Sequence, residues 1–192
     1  MRLILLCAAA TPGLRRGIFP DNESLDERGL GEACARVPLL DGIQTFWTSP
    51  TPSAVQTAAA LGRAAMPIAA LRECDYGSWA GKRLRDIDTA DPEAYAAWLK
   101  NPDAAPHGGE SIADVMKRVT IWLDGLSAQE DAVAVTHASV IRAAITHATD
   151  AGKESDARID IAPMTATHLE RDGALWKIPH RTEATRASVR RG

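Results

Sequence analysis

Two uninterrupted apolar runs, residues 3–10 and residues 132–136, constrain this chain more than any other feature. Both lack polar alternation, and the second passes straight into a helical pattern over 138–149. A short, wholly apolar run bounded by turn residues reads as a strand buried on both faces. Such strands need helices above and below them. The expected architecture is therefore a three-layer α/β/α fold around a mostly parallel central sheet. The first run could pass for an export signal, since Arg2 precedes it and alanines close it. It is short for that role and stops at Thr11, Pro12 and Gly13, so a core strand is the better reading.

Between the two runs the punctuation is regular. Ser24 precedes an expected helix over 25–36, residues 43–48 form a second short apolar segment, and Pro52 opens a helix that Gly62 stops. A short run over 67–71 leads into the turn-rich stretch 75–81, and residues 82–100 hold two short helices broken at Asp91 and Pro92. Residues 101–109 read as a loop. Ser111 followed by Asp114 makes a capping box for a helix carrying Ile112, Val115, Val119, Trp122 and Leu123 at helical spacing. Late strands over 165–170 and 175–178 complete the pattern. Residues 1–180 are expected to form one domain, and the basic tail 181–192 to be loose.

Charge and cysteine usage narrow the function classes. Of 192 residues, 22 are basic and 25 acidic, and the arginines are scattered, which argues against a nucleic-acid partner. No run approaches the roughly 18 apolar residues of a membrane-spanning helix, so no membrane association is expected. The three cysteines have no paired spacing and read as reduced thiols of a cytoplasmic protein, with Cys7, Cys34 and Cys74 acting as small hydrophobes. No histidine has metal-ligand spacing, and no cofactor is expected. A homodimer stays open.

In a sheet of this kind, ligands bind beyond the carboxyl ends of the strands. That rule selects residues 7–13, 49–53, 73–81 and 137–139. His137 stands between a buried strand and a helix N-terminus, where backbone amides favour anions. These segments resemble the histidine phosphatase superfamily, in its phosphoglycerate mutase-like branch. The matching pieces are Leu25-Asp26-Glu27-Arg28-Gly29, Thr48-Ser49-Pro50 with Gln56-Thr57-Ala58, and Leu71-Arg72-Glu73 with Gly77-Ser78-Trp79-Ala80-Gly81. Gly108-Gly109-Glu110-Ser111 and Val135-Thr136-His137-Ala138 leading into Val140-Ile141-Arg142 follow in the family's order.

The resemblance implies a phosphoryl-transfer site, and this chain departs from it at the centre. In the family an Arg-His-Gly-x-Thr signature follows the first strand; its histidine attacks phosphorus, two arginines and a second histidine clamp the oxygens, and a glutamate protonates the leaving group. Here the first arginine position is Cys7, the nucleophile position Ala8 and the glycine position Ala9, with only Thr11 matching. The second clamp arginine falls at Ser53. Glu73 remains at the proton-donor position and His137 at the second-histidine position. The implied pocket is lined by Cys7, Ala8, Thr11, Ser53, Glu73 and His137, with residues 73–109 as its lid.

The reading that follows is a degenerate, catalytically impaired relative that holds a small neutral or weakly anionic metabolite. The alternative is an active phosphatase or phosphomutase on small phosphorylated metabolites, using His137 and Glu73 with Arg15 or Arg16 as substitute clamps. A third is an interaction protein using only its outer surface. Cys7 as a thiol nucleophile would need an arginine six positions on, where Gly13 stands. Trp79 and Trp98 are candidates for a ligand wall, and the other tryptophans read as core.

Overall fold

The computed structural model describes residues 1–35, 42–127, 130–149 and 159–179. In chain order the strands are β1 (Arg2–Cys7), β2 (Thr45–Thr48), β3 (Met66–Pro67), β4 (Ala132–Thr136), β5 (Ala166–Asp172) and β6 (Leu175–Lys177). The helices are α1 (Pro12–Arg15), α2 (Glu27–Cys34), α3 (Pro52–Ala60), α4 (Leu84–Ala90), α5 (Pro92–Lys100), α6 (Ile112–Gly125) and α7 (Ala138–Thr149). Among the described residues the strands form one sheet in the order β3-β2-β4-β1-β5-β6. The pairs β1–β4, β2–β4 and β2–β3 are parallel. The late strands reverse: β5 runs antiparallel to β1, and β6 to β5. Gly173, at φ 61, makes the tight turn between β5 and β6, a backbone conformation glycine adopts at no steric cost.

The apolar strands feed two cores because successive side chains point to opposite faces of a sheet. Leu3, Leu5 and Cys7 of β1 join Ala132 and Ala134 of β4 against Val115, Val119 and Leu123 of α6 and Val140 and Ile141 of α7. Ile4 and Leu6 join Val133 and Val135 on the other face, against Ala33, Ala54 and Ala58 of α2 and α3. Alanine suits that second face because small side chains let the helices lie close. A third cluster, Phe19, Trp79 and Ile87, packs with Tyr76, Tyr95 and Trp98 and ties α4 and α5 to the loop after α1.

Several boundaries differ from expectation. β1 ends at Cys7, so residues 8–10 leave the strand as a loop, and the chain then forms α1, which was not foreseen. Pro12 opens that helix, and the Thr11 hydroxyl accepts from the Leu14 amide. The cap of α2 is Asp26, whose carboxylate accepts from the Gly29 amide, rather than Ser24. The far end of the expected helix over 25–36 and the basic tail reach beyond the described residues. The capping box at Ser111 and Asp114 forms with both of its bonds, and Asp91 caps α5 where the two short helices break.

Candidate active site

The carboxyl ends of β1, β2 and β4 open onto a cavity of about 730 Å³. Cys7, Ala8, Thr11, Ser53, Glu73 and His137 all line it, so the structure brings together the six residues selected from the sequence. The floor is held by main-chain bonds. The Cys7 amide donates to the Thr165 carbonyl at 3.0 Å, and the Ala8 amide to the Thr136 carbonyl at 2.7 Å. The Ala9 amide donates to the Thr57 hydroxyl at 3.1 Å. Thr57 in turn donates to the Ser53 carbonyl at 2.7 Å, locking the first turn of α3 to the end of β1.

His137 lies one residue before α7, at 9% exposure. Its Nε2 is 2.8 Å from the Thr51 hydroxyl and 3.0 Å from the Ser49 hydroxyl. Its Nδ1 is 3.6 Å from a Glu73 carboxylate oxygen. Burial pushes its pKa down, Glu73 opposes the shift and Arg118 adds to it, so the imidazole is neutral at physiological pH.

Glu73 is largely buried beside the cavity. Its side chain is 15% exposed; one oxygen accepts from the Cys74 amide at 2.8 Å and from the Ser139 hydroxyl. Arg118 from α6 donates to the Glu73 carbonyl at 3.3 Å and to the Ala70 carbonyl at 2.7 Å, fixing this segment's backbone. Arg118 is itself held by Glu110, which Arg72 also reaches.

The cavity's charges are of both signs. Arg15, Arg72 and Arg142 line it beside four carboxylates, those of Asp21, Glu23, Glu73 and Asp75. Arg15 is committed to Asp26 and to the Ala10 carbonyl at 2.7 Å. Arg16 lines a neighbouring pocket of about 210 Å³ instead of the main cavity. The Cys7 thiol is pushed up to about 12 by burial and by Glu73, so it is protonated and carries no nucleophilic sulfur anion at neutral pH. Among the described residues, no cluster of three or more histidine, cysteine or acidic side chains is placed to hold a metal ion.

Some partners in the site lie within the segments that sequence position and resemblance selected, though no role was assigned to them there. Ser49, Thr51 and Ser139 position His137 and Glu73 from distant parts of the chain, and Arg142 reaches the cavity from α7. Trp98 lines a small side pocket, whereas Trp79, at 6% exposure, belongs to the aromatic core. His107 is buried against the Tyr76 and Trp79 rings, and its Nδ1 accepts from the Gly109 amide. His147 bonds Asp124 on the surface, His168 lies in β5, and His180 is outside the described residues.

The chain matches the histidine phosphatase superfamily (branch 1) over residues 3–183. It belongs to that family. A bifunctional protein of Mycobacterium tuberculosis is 30% identical over 165 residues, which cover 80% of this chain and 45% of that protein. The chain thus spans about half the length of that relative. A glucosyl-3-phosphoglycerate phosphatase of Mycolicibacterium vanbaalenii is 44% identical over 69 residues, 34% of this chain and 31% of that one. Among solved structures, a mycobacterial glucosyl-3-phosphoglycerate phosphatase complexed with VO3 superposes with a TM-score of 0.84 at 25% identity, covering 93% of this chain and 96% of the other. Among the described residues of this family member, no helix is long and apolar enough to cross a membrane.

Proposed function

We propose that this histidine phosphatase family member keeps the binding frame without the phosphoryl chemistry, and holds a small neutral or weakly anionic metabolite in its 730 Å³ cavity. The observation that carries the reading is that Ala8, Cys7 and Ser53 line the cavity at the positions where the resemblance requires the nucleophile and the two clamp arginines. Ala8 supplies a methyl group at the nucleophile position, and Arg15 is spent on Asp26. Charge-assisted hydrogen bonds contribute about 1.5–3 kcal/mol each. Two absent bidentate arginines therefore remove roughly 6 kcal/mol or more from phosphate binding, about four powers of ten in affinity.

The retained His137 does not compensate. Its Nε2 is engaged with Ser49 and Thr51, and its Nδ1 faces Glu73, so no ring nitrogen is presented with a clamp beside it. Residues 1–180 form one domain in this reading. Residues 73–109 act as a lid, with Asp75, Tyr76 and Ala80 on the cavity wall and the aromatic cluster as its anchor.

The test is hydrolysis of p-nitrophenyl phosphate from mildly acid to neutral pH. Turnover equal to that of a His137→Ala variant is expected. Turnover clearly above that variant, with phosphate trapped on His137, would restore the active-phosphatase reading. Joint substitution Cys7→Arg, Ala8→His and Ser53→Arg should create activity in the same frame, because all three positions already line the cavity.

A further inference from the structure

Beside the main cavity lies a second pocket of about 200 Å³, and the two share Cys74, Tyr76 and Arg142 as a common wall. Its remaining surface is mostly apolar, from Trp98 and Leu99 of α5, Ile112 and Val115 of α6 and Ala143 of α7, with the Ser139 hydroxyl, which donates to Glu73, as the polar exception. Arg142 is the one charged residue among those lining it. The Arg142 Nε donates to the Ile159 carbonyl at 2.8 Å, and the two terminal nitrogens have no hydrogen-bond partner among the described residues. This separates Arg142 from Arg15 and Arg72, whose terminal nitrogens are held by Asp26 and Glu110.

We infer that the ligand is an aryl carboxylate, with its carboxylate on the Arg142 fork and its ring in the side pocket between Trp98, Tyr76, Ile112 and Val115. The inference rests on the binding reading above and names the ligand class for it.

Three arguments lead there. A half-buried guanidinium whose terminal nitrogens have no partner among the described residues is matched in charge and plane by one carboxylate, through two parallel bonds. The volume suits one ring, since an apolar cavity of about 150 Å³ takes up benzene. Aromatic walls favour edge and offset contacts with another ring. A phosphate dianion is a poorer match, because its second charge meets Glu73 and Asp75 on the adjoining cavity wall with one open arginine to balance them.

The experiment is a titration of the intact protein with phenylacetate and 3-phenylpropionate, followed by calorimetry and by fluorescence. Benzyl alcohol supplies the ring without the charge, acetate the charge without the ring, and phenyl phosphate the dianion. For ligands of about ten heavy atoms, a Kd on the order of 1–10 mM is expected for the carboxylates. Each control should bind at least about tenfold more weakly. The fluorescence change should vanish in Trp98→Phe while calorimetric binding persists.

Arg142→Gln should weaken binding of the carboxylates about tenfold or more and leave that of benzyl alcohol unchanged. Because Arg142 also holds the Ile159 carbonyl, the unaltered protein provides an independent readout. Nuclear Overhauser contacts should run from the ligand ring to the Ile112 and Val115 methyls. Equal binding of benzyl alcohol and phenylacetate, or a bound ring without contacts to those methyls, overturns the inference, as does no binding at all. Failure of the parent reading looks different: it is turnover of the aryl phosphate above the His137→Ala level.

Discussion

The Nδ1 atom of His137 stands 3.6 Å from a Glu73 carboxylate oxygen, and the two are held together without forming an ion pair. Glu73 is satisfied by the Cys74 amide and the Ser139 hydroxyl, and His137 Nε2 by two hydroxyls, so the contact does not depend on a proton on the ring. Hydroxyl and amide hydrogen bonds hold both side chains in place.

The neutral His137 ring has a consequence for stability against pH. Burial holds the His137 pKa below the ordinary 6.5, and burial moves His107 the same way. Below 6.5 the unfolded chain protonates both rings while the folded chain does not, so the unfolded state binds more protons and stability falls as the pH drops. The urea midpoint should be flat above neutrality and decline below 6.5. The double variant His137→Gln, His107→Gln should show a shallower decline over the same interval, before the carboxylates titrate.

Thiol chemistry separates the three cysteines. Cys34 is exposed, whereas Cys7 and Cys74 are buried with their thiols pushed up by burial and by Glu73. Iodoacetamide on the native protein near neutral pH should give one adduct, at Cys34, by intact mass and peptide mapping. The denatured chain should give three. Rapid native labelling of Cys7 would contradict the burial and protonation described for the cavity floor.

Glu110 joins two arginines beneath the segment that carries Glu73. With Glu110 and Arg118 at 14% and 13% side-chain exposure, removing the acid leaves a desolvated guanidinium. Glu110→Ala should cost about 3 kcal/mol, near the lower end for a broken buried pair because Arg118 keeps two carbonyl partners. Adding Arg118→Met to that variant should recover a large part of the loss in chemical denaturation, since no buried charge is then left over.

Two glycines should respond in opposite directions. A Cβ on Gly109 would lie 2.0 Å from the Asp75 carbonyl oxygen, so Gly109→Ala must part the loop from the segment it crosses. A loss of about 1–3 kcal/mol is expected, with faster proteolysis around residues 75–81. Gly31 lies inside α2 with open space where a side chain would go. Gly31→Ala should therefore stabilise by about 0.5–1 kcal/mol. Thermal melts of the two variants check both signs.

The fold was legible wherever one local pattern admitted one reading. The apolar run of β4, the capping box of α6 and the Asp91–Pro92 break each combine a period with a terminus signal, and each appears as read. The direction of β5 was not legible, because its half-exposed residues say nothing of which neighbour they will pair with. Asp26 took the α2 cap from Ser24 because only its carboxylate meets the Gly29 amide, a matter of a single turn of backbone. In the site, Cys7, Ala8, Thr11, Ser53, Glu73 and His137 could be picked out by strand-end position and resemblance. Ser49, Thr51 and Ser139 lay within the selected strand-end segments, but their pairings could not be read: the hydroxyl contacts to His137 and Glu73 join residues 86, 88 and 66 apart in sequence, and no local pattern encodes such closures. Nor could the sequence reveal that Arg15 turns to Asp26 instead of into the cavity.

β1 is an interior strand, flanked by β4 and β5, and the hydrogen bonds that pin residues 7–9 come from their main chain: three donated amides and the Cys7 carbonyl, which accepts from the Met164 amide. Those bonds do not depend on side-chain identity, whereas the buried Cys7, Ala8 and Ala9 side chains also pack into the two cores. A socket built this way keeps its hydrogen-bonded frame when a side chain changes, within the volume the surrounding cores allow. Stability and chemistry meet at these positions through side-chain volume rather than through hydrogen bonding.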